Sequence, residues 1–262
     1  MKLQLKSLAL FAMLFICSNV IMAQKNFTTK VIAHRGAWKA QHLPENSLAS
    51  LRHAGEIGCY GSEFDIHITK DDIIVVNHDN EYYGLTIATS TYQELLAKKH
   101  SNGESIPTLE EYLKEGMKHK KTRLVCEIKT STGGKERTKK LVEMTVAIVK
   151  KAKARKQVDY ITFDLEGGKL LAKLAPKNEV AYLTGDLTPA EAKAAGFNGI
   201  DYHYNVYVKN PGWIEEAKKL GLSVNVWTVN TEDIMQKFIQ QKVDFITTNE
   251  PELLFSELKA TL

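Results

Sequence analysis

The sequence lacks the features that would place it in most special classes. No sign of charge dominates: 35 Lys and Arg stand against 31 Asp and Glu, a formal +4 that includes Lys2 and Lys6. Without the first 23 residues the balance is +2, too small to argue for a nucleic-acid partner or an anionic membrane surface. Cysteine is scarce, with only Cys17, Cys59 and Cys126, and their spacing forms no disulfide framework. Cys126 lies between Val125 and Glu127 in an apolar strand, so a free, buried thiol is expected there. There is no internal repeat and no low-complexity tract, which leaves out solenoids and arrays.

Long apolar runs are also missing. The stretch Leu8–Ile16 is too short to span a membrane as a helix. It follows Lys2 and Lys6 and precedes Ile21-Met-Ala23, so residues 1–23 are expected to be a signal peptide cleaved after Ala23. Acylation at Cys17 is the lipoprotein alternative, although Ile16 stands where a small residue is expected, and an uncleaved anchor is the other. Export, to a periplasm or to the medium, is the expectation. Residues 24–262 then form one domain of about the length that a single α/β barrel occupies.

What is present is an alternation of strands and helices. Apolar strands are expected at Val31–Ala33, Gly61–His67, Leu124–Ile128, Tyr160–Phe163, Val180–Leu183, Gly199–Tyr202, Ser223–Thr228 and Phe245–Thr248. Helices are expected at Asn46–Ile57, Thr108–Lys118, Lys135–Lys153, Gly167–Ala175, Pro189–Ala195, Pro211–Leu220 and Thr231–Gln240. Asp186, Asn210 and Asn230 are the expected caps near three helix starts. Eight strands alternating with helices predict an α/β fold, a closed parallel (β/α)8 TIM barrel. Residues 71–107 break the rhythm and read as a small insertion after the second strand. It holds an extra strand at Ile73–Val76 and a short helix at Tyr92–Lys98.

One stretch concentrates the chemistry. It runs from Val31-Ile-Ala-His-Arg-Gly36 through Pro44-Glu-Asn-Ser47 and Gly61-Ser-Glu-Phe-Asp-Ile-His67 to Val75-Val-Asn-His-Asp79. Strand alternation puts Glu63 and Asp65 on one face, and two acids there repel unless a cation or good solvation relieves them. In the third strand Glu127 and Lys129 face the barrel interior, and in the seventh Asn225 and Trp227 do. Glu63, Asp65, Glu127, Lys129 and Trp227 therefore converge on one mouth. Three carboxylates form an all-oxygen set suited to a divalent cation such as Ca2+ or Mg2+ rather than zinc. An ion-pair network with Arg35 and Lys129 is the alternative.

His-Arg-Gly, Pro-Glu-Asn, Glu-x-Asp and the later His-Asp, in this order and spacing, resemble the glycerophosphodiester phosphodiesterase family. The resemblance runs from about Val31 to the C-terminus and implies a metal-dependent hydrolase that releases glycerol 3-phosphate and an alcohol. It implies Glu63, Asp65 and Glu127 as metal ligands, and His34 and His78 as general acid and base, with the order of the two left open. The attacking group can be water or the substrate's own glycerol hydroxyl, which gives a cyclic phosphate that water then opens. Arg35 as a fork and Lys129 as a point charge suit phosphate oxygens. Glu45 is placed to orient Arg35 or approach the metal. Asn46 belongs to the same motif or caps the first helix.

Trp227, in Trp-Thr-Val-Asn230, lines a glycerol pocket or simply fills the barrel. His67 is expected to be structural, and His42, His53, His100, His119 and His203 to be surface or loop residues. The sequence departs from the family pattern at Asn249, where an aspartate is usual, and around Tyr82, Tyr83 and Leu85, which lack an arginine-threonine run. Both departures are expected to bear on the alcohol side of specificity and to lie away from the metal and the histidines. Two other functions fit the pattern: a phospholipase D-like phosphodiesterase on choline lipids, and a non-catalytic binder of glycerophosphate or cell-wall polymer. The first calls for a long apolar surface at the mouth, the second for loss of a histidine or carboxylate.

Overall fold

The computed structural model describes residues 28–261. The proposed leader and Cys17 lie outside the described residues. The barrel strands are β1 (Lys30–Ala33), β2 (Gly61–Ile68), β6 (Arg123–Ile128), β7 (Val158–Thr162), β8 (Val180–Tyr182), β9 (Gly199–His203), β10 (Ser223–Trp227) and β11 (Phe245–Thr248). Every neighbouring pair is parallel, and β1 joins both β2 and β11, which closes the sheet. This is the (β/α)8 barrel expected from the alternation.

The helices that cover it are α1 (Leu48–Glu56), α3 (Leu109–Gly116), α4 (Lys135–Lys151), α5 (Leu165–Leu174), α6 (Pro189–Ala194), α8 (Trp213–Lys219), α9 (Glu232–Gln240) and α10 (Pro251–Ala260). The C-terminal α10 was not expected, and neither was one further helix, α7 (Tyr204–Lys209). It follows β9 directly, where His203 caps it through the Asn205 amide. Three caps differ from expectation. Thr188 rather than Asp186 caps α6 with a reciprocal bond from Glu191, Gly212 rather than Asn210 precedes α8, and Thr231 rather than Asn230 precedes α9. A hydroxyl three residues before a glutamate closes two backbone donors at once, which a lone Asp further upstream does not. α1 is capped by Ser47, with Ser50 bonding back.

The insertion is where the sequence placed it. β3 (Ile74–Val76) runs antiparallel along β2, followed by the hairpin β4 (Glu81–Tyr82) and β5 (Leu85–Thr86) and the short helix α2 (Tyr92–Leu95). It has its own apolar centre of Val75, Tyr82, Ile87, Leu95 and Ile106. His100 sits in a loop, as expected, but is buried beside Tyr82 and Tyr83 rather than at the surface.

Parity organises the core. Phe64, Ile66, Leu124, Cys126, Val224 and Val226 face the helices in one large cluster, while Ile32, Val125, Ile161, Ala181 and Leu183 fill the barrel interior. Cys59 and Cys126 are free and buried. Phe64 stacks on Tyr112 of α3 at 4.3 Å between centroids and has no exposed surface. Phe64→Ala should therefore destabilise the fold by about 3–5 kcal/mol, the range for a buried aromatic truncation. Urea denaturation checks it, and a loss below about 1 kcal/mol would mean this layer collapses around the gap.

Candidate active site

The site begins with register. Asp65 of β2 pairs with Glu127 of β6, so the inward carboxylates of two neighbouring strands meet at the same height. Glu63, Asp65 and Glu127 are all buried, and each offers an oxygen within 4.8 Å of the others. Burial, then the charges of Asp65 and Glu127, pushes Glu63 well above the usual carboxylate range. Burial and the Asp65 charge push Glu127 up to about 8. Asp65 goes the other way: burial opposes ionisation, but the Lys129 ammonium overcomes it and holds the group at about 2.

Lys129 Nζ lies 2.8 Å from Asp65 Oδ1 and 2.7 Å from Glu127 Oε1. These are ion pairs without good hydrogen-bond direction, since both oxygens, and Glu63 Oε1 with them, lack a hydrogen-bond partner. The ion-pair alternative is thus only partly realised. Arg35 is engaged mainly with Glu45, Nη1 to Oε1 at 2.8 Å, while its Nε stands 3.9 Å from Asp65 Oδ2. Three buried carboxylates whose oxygens converge within 4.8 Å fit a hard divalent cation.

The loop after β1 holds this cluster still. Arg35 and Asn46 both have left-handed backbone, at φ 58° and 56°. The Arg35 amide donates to Glu63 Oε2 at 2.8 Å, and the Asn46 amide donates to the Arg35 carbonyl. Asn46 Nδ2 donates to Asp65 Oδ2 at 2.8 Å, and the Asp65 amide returns a bond to Asn46 Oδ1 at 3.0 Å. Asn46 is therefore a clamp on Asp65, and the helix-cap alternative is replaced by Ser47. Asparagine suits the place because it tolerates left-handed backbone and both donates and accepts.

The two histidines reach the same cavity from different sides. His34 ends β1, its Nδ1 2.8 Å from Asn249 Oδ1 and its Nε2 3.9 Å from Glu63 Oε2. An amide oxygen only accepts, so Nδ1 carries the proton and Nε2 its lone pair. Burial first, then the Arg35 charge, lowers the pKa of His34 to about 4, which leaves the ring neutral near pH 7. This corrects the expectation for Asn249: it touches a histidine directly, because β11 is the neighbour of β1 and Ala33 pairs with Thr248. His78 arrives on the loop after β3, its Nδ1 2.7 Å from Asp79 Oδ1. His67 Nε2 donates to the His78 carbonyl at 3.1 Å, a role in holding that loop.

The cavity between them measures about 250 Å³. One wall is charged, with His34, Arg35, Glu63, His78, Glu127 and Lys129. The other is apolar, with Ile161, Phe163, Leu183 and Trp227. Trp227 is fixed by its indole N–H to the Asp201 carbonyl at 2.8 Å and by edge contacts with Phe163 and His203. Phe163 and Leu183 were not singled out from the sequence, and Asn249 and Asp79 were noted there without a part in the site. Parity in the fourth and fifth strands would have found the two apolar ones.

Polar groups gathered at the C-terminal ends of barrel strands stand where (β/α)8-barrel enzymes carry their active sites. The family model described as "Glycerophosphoryl diester phosphodiesterase family" matches residues 34–253. A curated glycerophosphodiester phosphodiesterase from Caldanaerobacter subterraneus subsp. tengcongensis is 28% identical, with 87% of this chain and 97% of that protein covered. The crystal structure of a glycerophosphodiester phosphodiesterase from Parabacteroides distasonis is 46% identical, with a TM-score of 0.87, covering 90% of this chain and 99% of that one. A phosphodiesterase from Oleispira antarctica, solved with the product sn-glycerol-3-phosphate, shares the fold at 23% identity, with a TM-score of 0.76 over 88% of this chain and 96% of that one. The chain belongs to the glycerophosphoryl diester phosphodiesterase family.

Asn46→Ala removes both bonds to Asp65 and strains a left-handed position. It should lower stability by about 2–4 kcal/mol and weaken divalent-cation binding. Thermal melting with and without added Mg2+ or Ca2+ reads both effects. Wild-type protein stripped with chelator should gain melting temperature on adding the cation, and Glu63→Gln should lose that gain. A gain that survives Glu63→Gln would remove Glu63 from the ligand set.

Proposed function

We propose that this chain hydrolyses glycerophosphodiesters to glycerol 3-phosphate and an alcohol, with a divalent cation held by Glu63, Asp65 and Glu127. The single observation that carries the reading is the convergence of three buried carboxylates beside two imidazoles and two cationic side chains, in a member of this family. When bound, Ca2+ or Mg2+ would neutralise phosphate charge and polarise the phosphorus. Arg35 and Lys129 would hold the phosphate oxygens, and Glu45 would keep the guanidinium turned toward them.

His34 is assigned as the base of the first step. It is supported by a neutral ring, a proton fixed on Nδ1 by Asn249, and a free lone pair on Nε2 facing the cavity. Nε2 takes the proton of the attacking hydroxyl as its oxygen forms the new P–O bond. His78, tied through Nδ1 to Asp79, is assigned as the acid that protonates the leaving alkoxide as the old P–O bond breaks. The attacking hydroxyl is water or the glycerol hydroxyl of the substrate itself. The apolar wall of Phe163, Leu183 and Trp227 would take the carbon face of glycerol. Among the described residues no helix is long and apolar enough to cross a membrane. We propose action outside the cytoplasm, on the strength of the leader-like residues 1–23, and cell fractionation tests it.

A panel of glycerophosphocholine, glycerophosphoethanolamine, glycerophosphoglycerol and lysophospholipids, with the phosphate product identified, tests the activity. Release of glycerol 3-phosphate is expected, and release of free choline phosphate instead would sink the reading. His34→Ala and His78→Ala should each lower kcat by about 10²–10⁴-fold, while the cation still raises the melting temperature. A variant with near-normal turnover of a poor leaving group would remove that histidine. Lys129→Met should lower kcat and kcat/KM together if the ammonium grips the phosphate more tightly as charge builds. A rise in KM alone would restrict Lys129 to ground-state binding, and tighter cation binding with unchanged kinetics would restrict it to pairing with the carboxylates.

A further inference from the structure

A second cavity, of about 210 Å³, lies at the opposite end of the barrel, where the strands begin. Small residues leave it open. A side chain at Gly199 would meet Ser223 Oγ, Glu179 Oε1 at 3.0 Å and Ala181 Cβ at 3.1 Å. Its inner wall is apolar, from Val125, Ile161 and Ala181, and its rim carries Tyr60 stacked on Phe245 at 5.1 Å.

The charges around it do not cancel. Arg123 is spent on Asp159, which it grips through two nitrogens, and on the carbonyls of Lys156 and Val158. Lys177 lies at the exposed edge. Glu179 and Asp201 are left without an ion-pair partner among the described residues. Glu179 accepts a bond from the Ser223 hydroxyl. Asp201 is only 2% exposed and its Oδ1 has no hydrogen-bond partner. Burial first pushes Asp201 up to about 7, and the Glu179 charge acts in the same direction. A buried acceptor of this kind is costly unless something meets it.

A cation would meet it with both charge and donors, and the geometry selects the kind of cation. The only group of three among the described carboxylates, histidines and cysteines that brings its ligand atoms within 4.8 Å is Glu63, Asp65 and Glu127 at the mouth. The floor cavity therefore has no three-oxygen cage for a divalent metal. It has two carboxylates, an apolar wall and an aromatic rim. The Lys30 ammonium already rests against that rim, 4.4 Å from the Tyr60 centroid and 5.5 Å from that of Phe245. We infer that this cavity binds a small primary alkylammonium ion, with its NH3+ group on Asp201 and Glu179 and its carbons against Val125, Ile161 and Ala181.

The site is in contact with the mouth. Asp201 and Ile161 line both cavities, and the Asp201 carbonyl holds the Trp227 indole. Occupancy below is thus felt at the apolar wall above.

Titration calorimetry with ethylammonium chloride tests this, against sodium chloride of equal ionic strength and with Mg2+ present throughout. One saturable site is expected. Glu179→Gln and Asp201→Asn should each weaken it by about ten-fold or more, the order for losing a partner from a buried charge pair. Ala181→Leu, which fills the space, should abolish it. Nuclear magnetic resonance of the three tryptophan indoles should show the Trp227 signal moving with the same saturation curve. Glu179→Gln should keep ordinary phosphodiester hydrolysis, so that failure of this site and failure of the catalytic reading are told apart. Heats equal to the sodium blank overturn the inference. So does binding that survives Glu179→Gln, which would place the ammonium at the mouth, or a preference for Ca2+ over ethylammonium at this site. Should Ala181→Leu fail to fold, the two carboxylate variants decide the matter.

Discussion

Three carboxyl groups buried together at the rim of a barrel, which repel when ionised, are the constraint on which the rest of this structure depends. Strand pairing forces them together: Asp65 and Glu127 are register partners, and Glu63 shares the face of Asp65. Nothing in the core can relieve that repulsion, since parity sends Phe64, Ile66 and Cys126 to the other side of the wall. Relief has to come from the mouth, and the polar groups gathered there are arranged for it. Lys129 comes from the same strand end, Arg35 from the turn after β1, and Asn46 from just before α1. A divalent cation would complete the set.

The unusual backbone of the region follows from this. The left-handed conformations at Arg35 and Asn46 cost about 1–2 kcal/mol each for an ordinary residue. The return is that one turn aims an amide at Glu63, a guanidinium at Asp65 and an amide side chain at both ends of Asp65. The cavity is accordingly two-sided, charged where phosphate is to sit and apolar where carbon is. Its two histidines differ in the same way. His34 is buried and kept neutral, whereas His78 is more exposed and leans on a carboxylate of its own loop.

The fold was legible because each strand is a short apolar run, and parity in the second, third and seventh strands agreed on one mouth. The insertion was legible because Ile73–Val76 falls where a helix should begin. What stayed hidden depended on pairs distant in sequence. Asn249 lies 215 residues from His34, and only closure of the barrel makes them neighbours. The cap of α6 was misplaced because Thr188 with Glu191, a reciprocal pair next to the helix, outcompetes Asp186 further upstream. Asn46 was read as a possible cap because its role rests on a left-handed φ that side-chain chemistry alone does not announce. His100 was placed in a loop but not in the interior, because the insertion's separate apolar centre was not anticipated.

Closure of the barrel by β1 against β11 has one more consequence, and it concerns time. A ribosome makes the carboxylates of β2 and β6 well before it makes β11. The residue that fixes the proton on His34 is Asn249, which directly follows β11. Until the last strand docks, His34 has no partner to choose between its two nitrogens, and the seam that holds it is open. The carboxylates are thus made early and the group that poises the imidazole late, so a chain that lacks β11 also lacks the partner of His34.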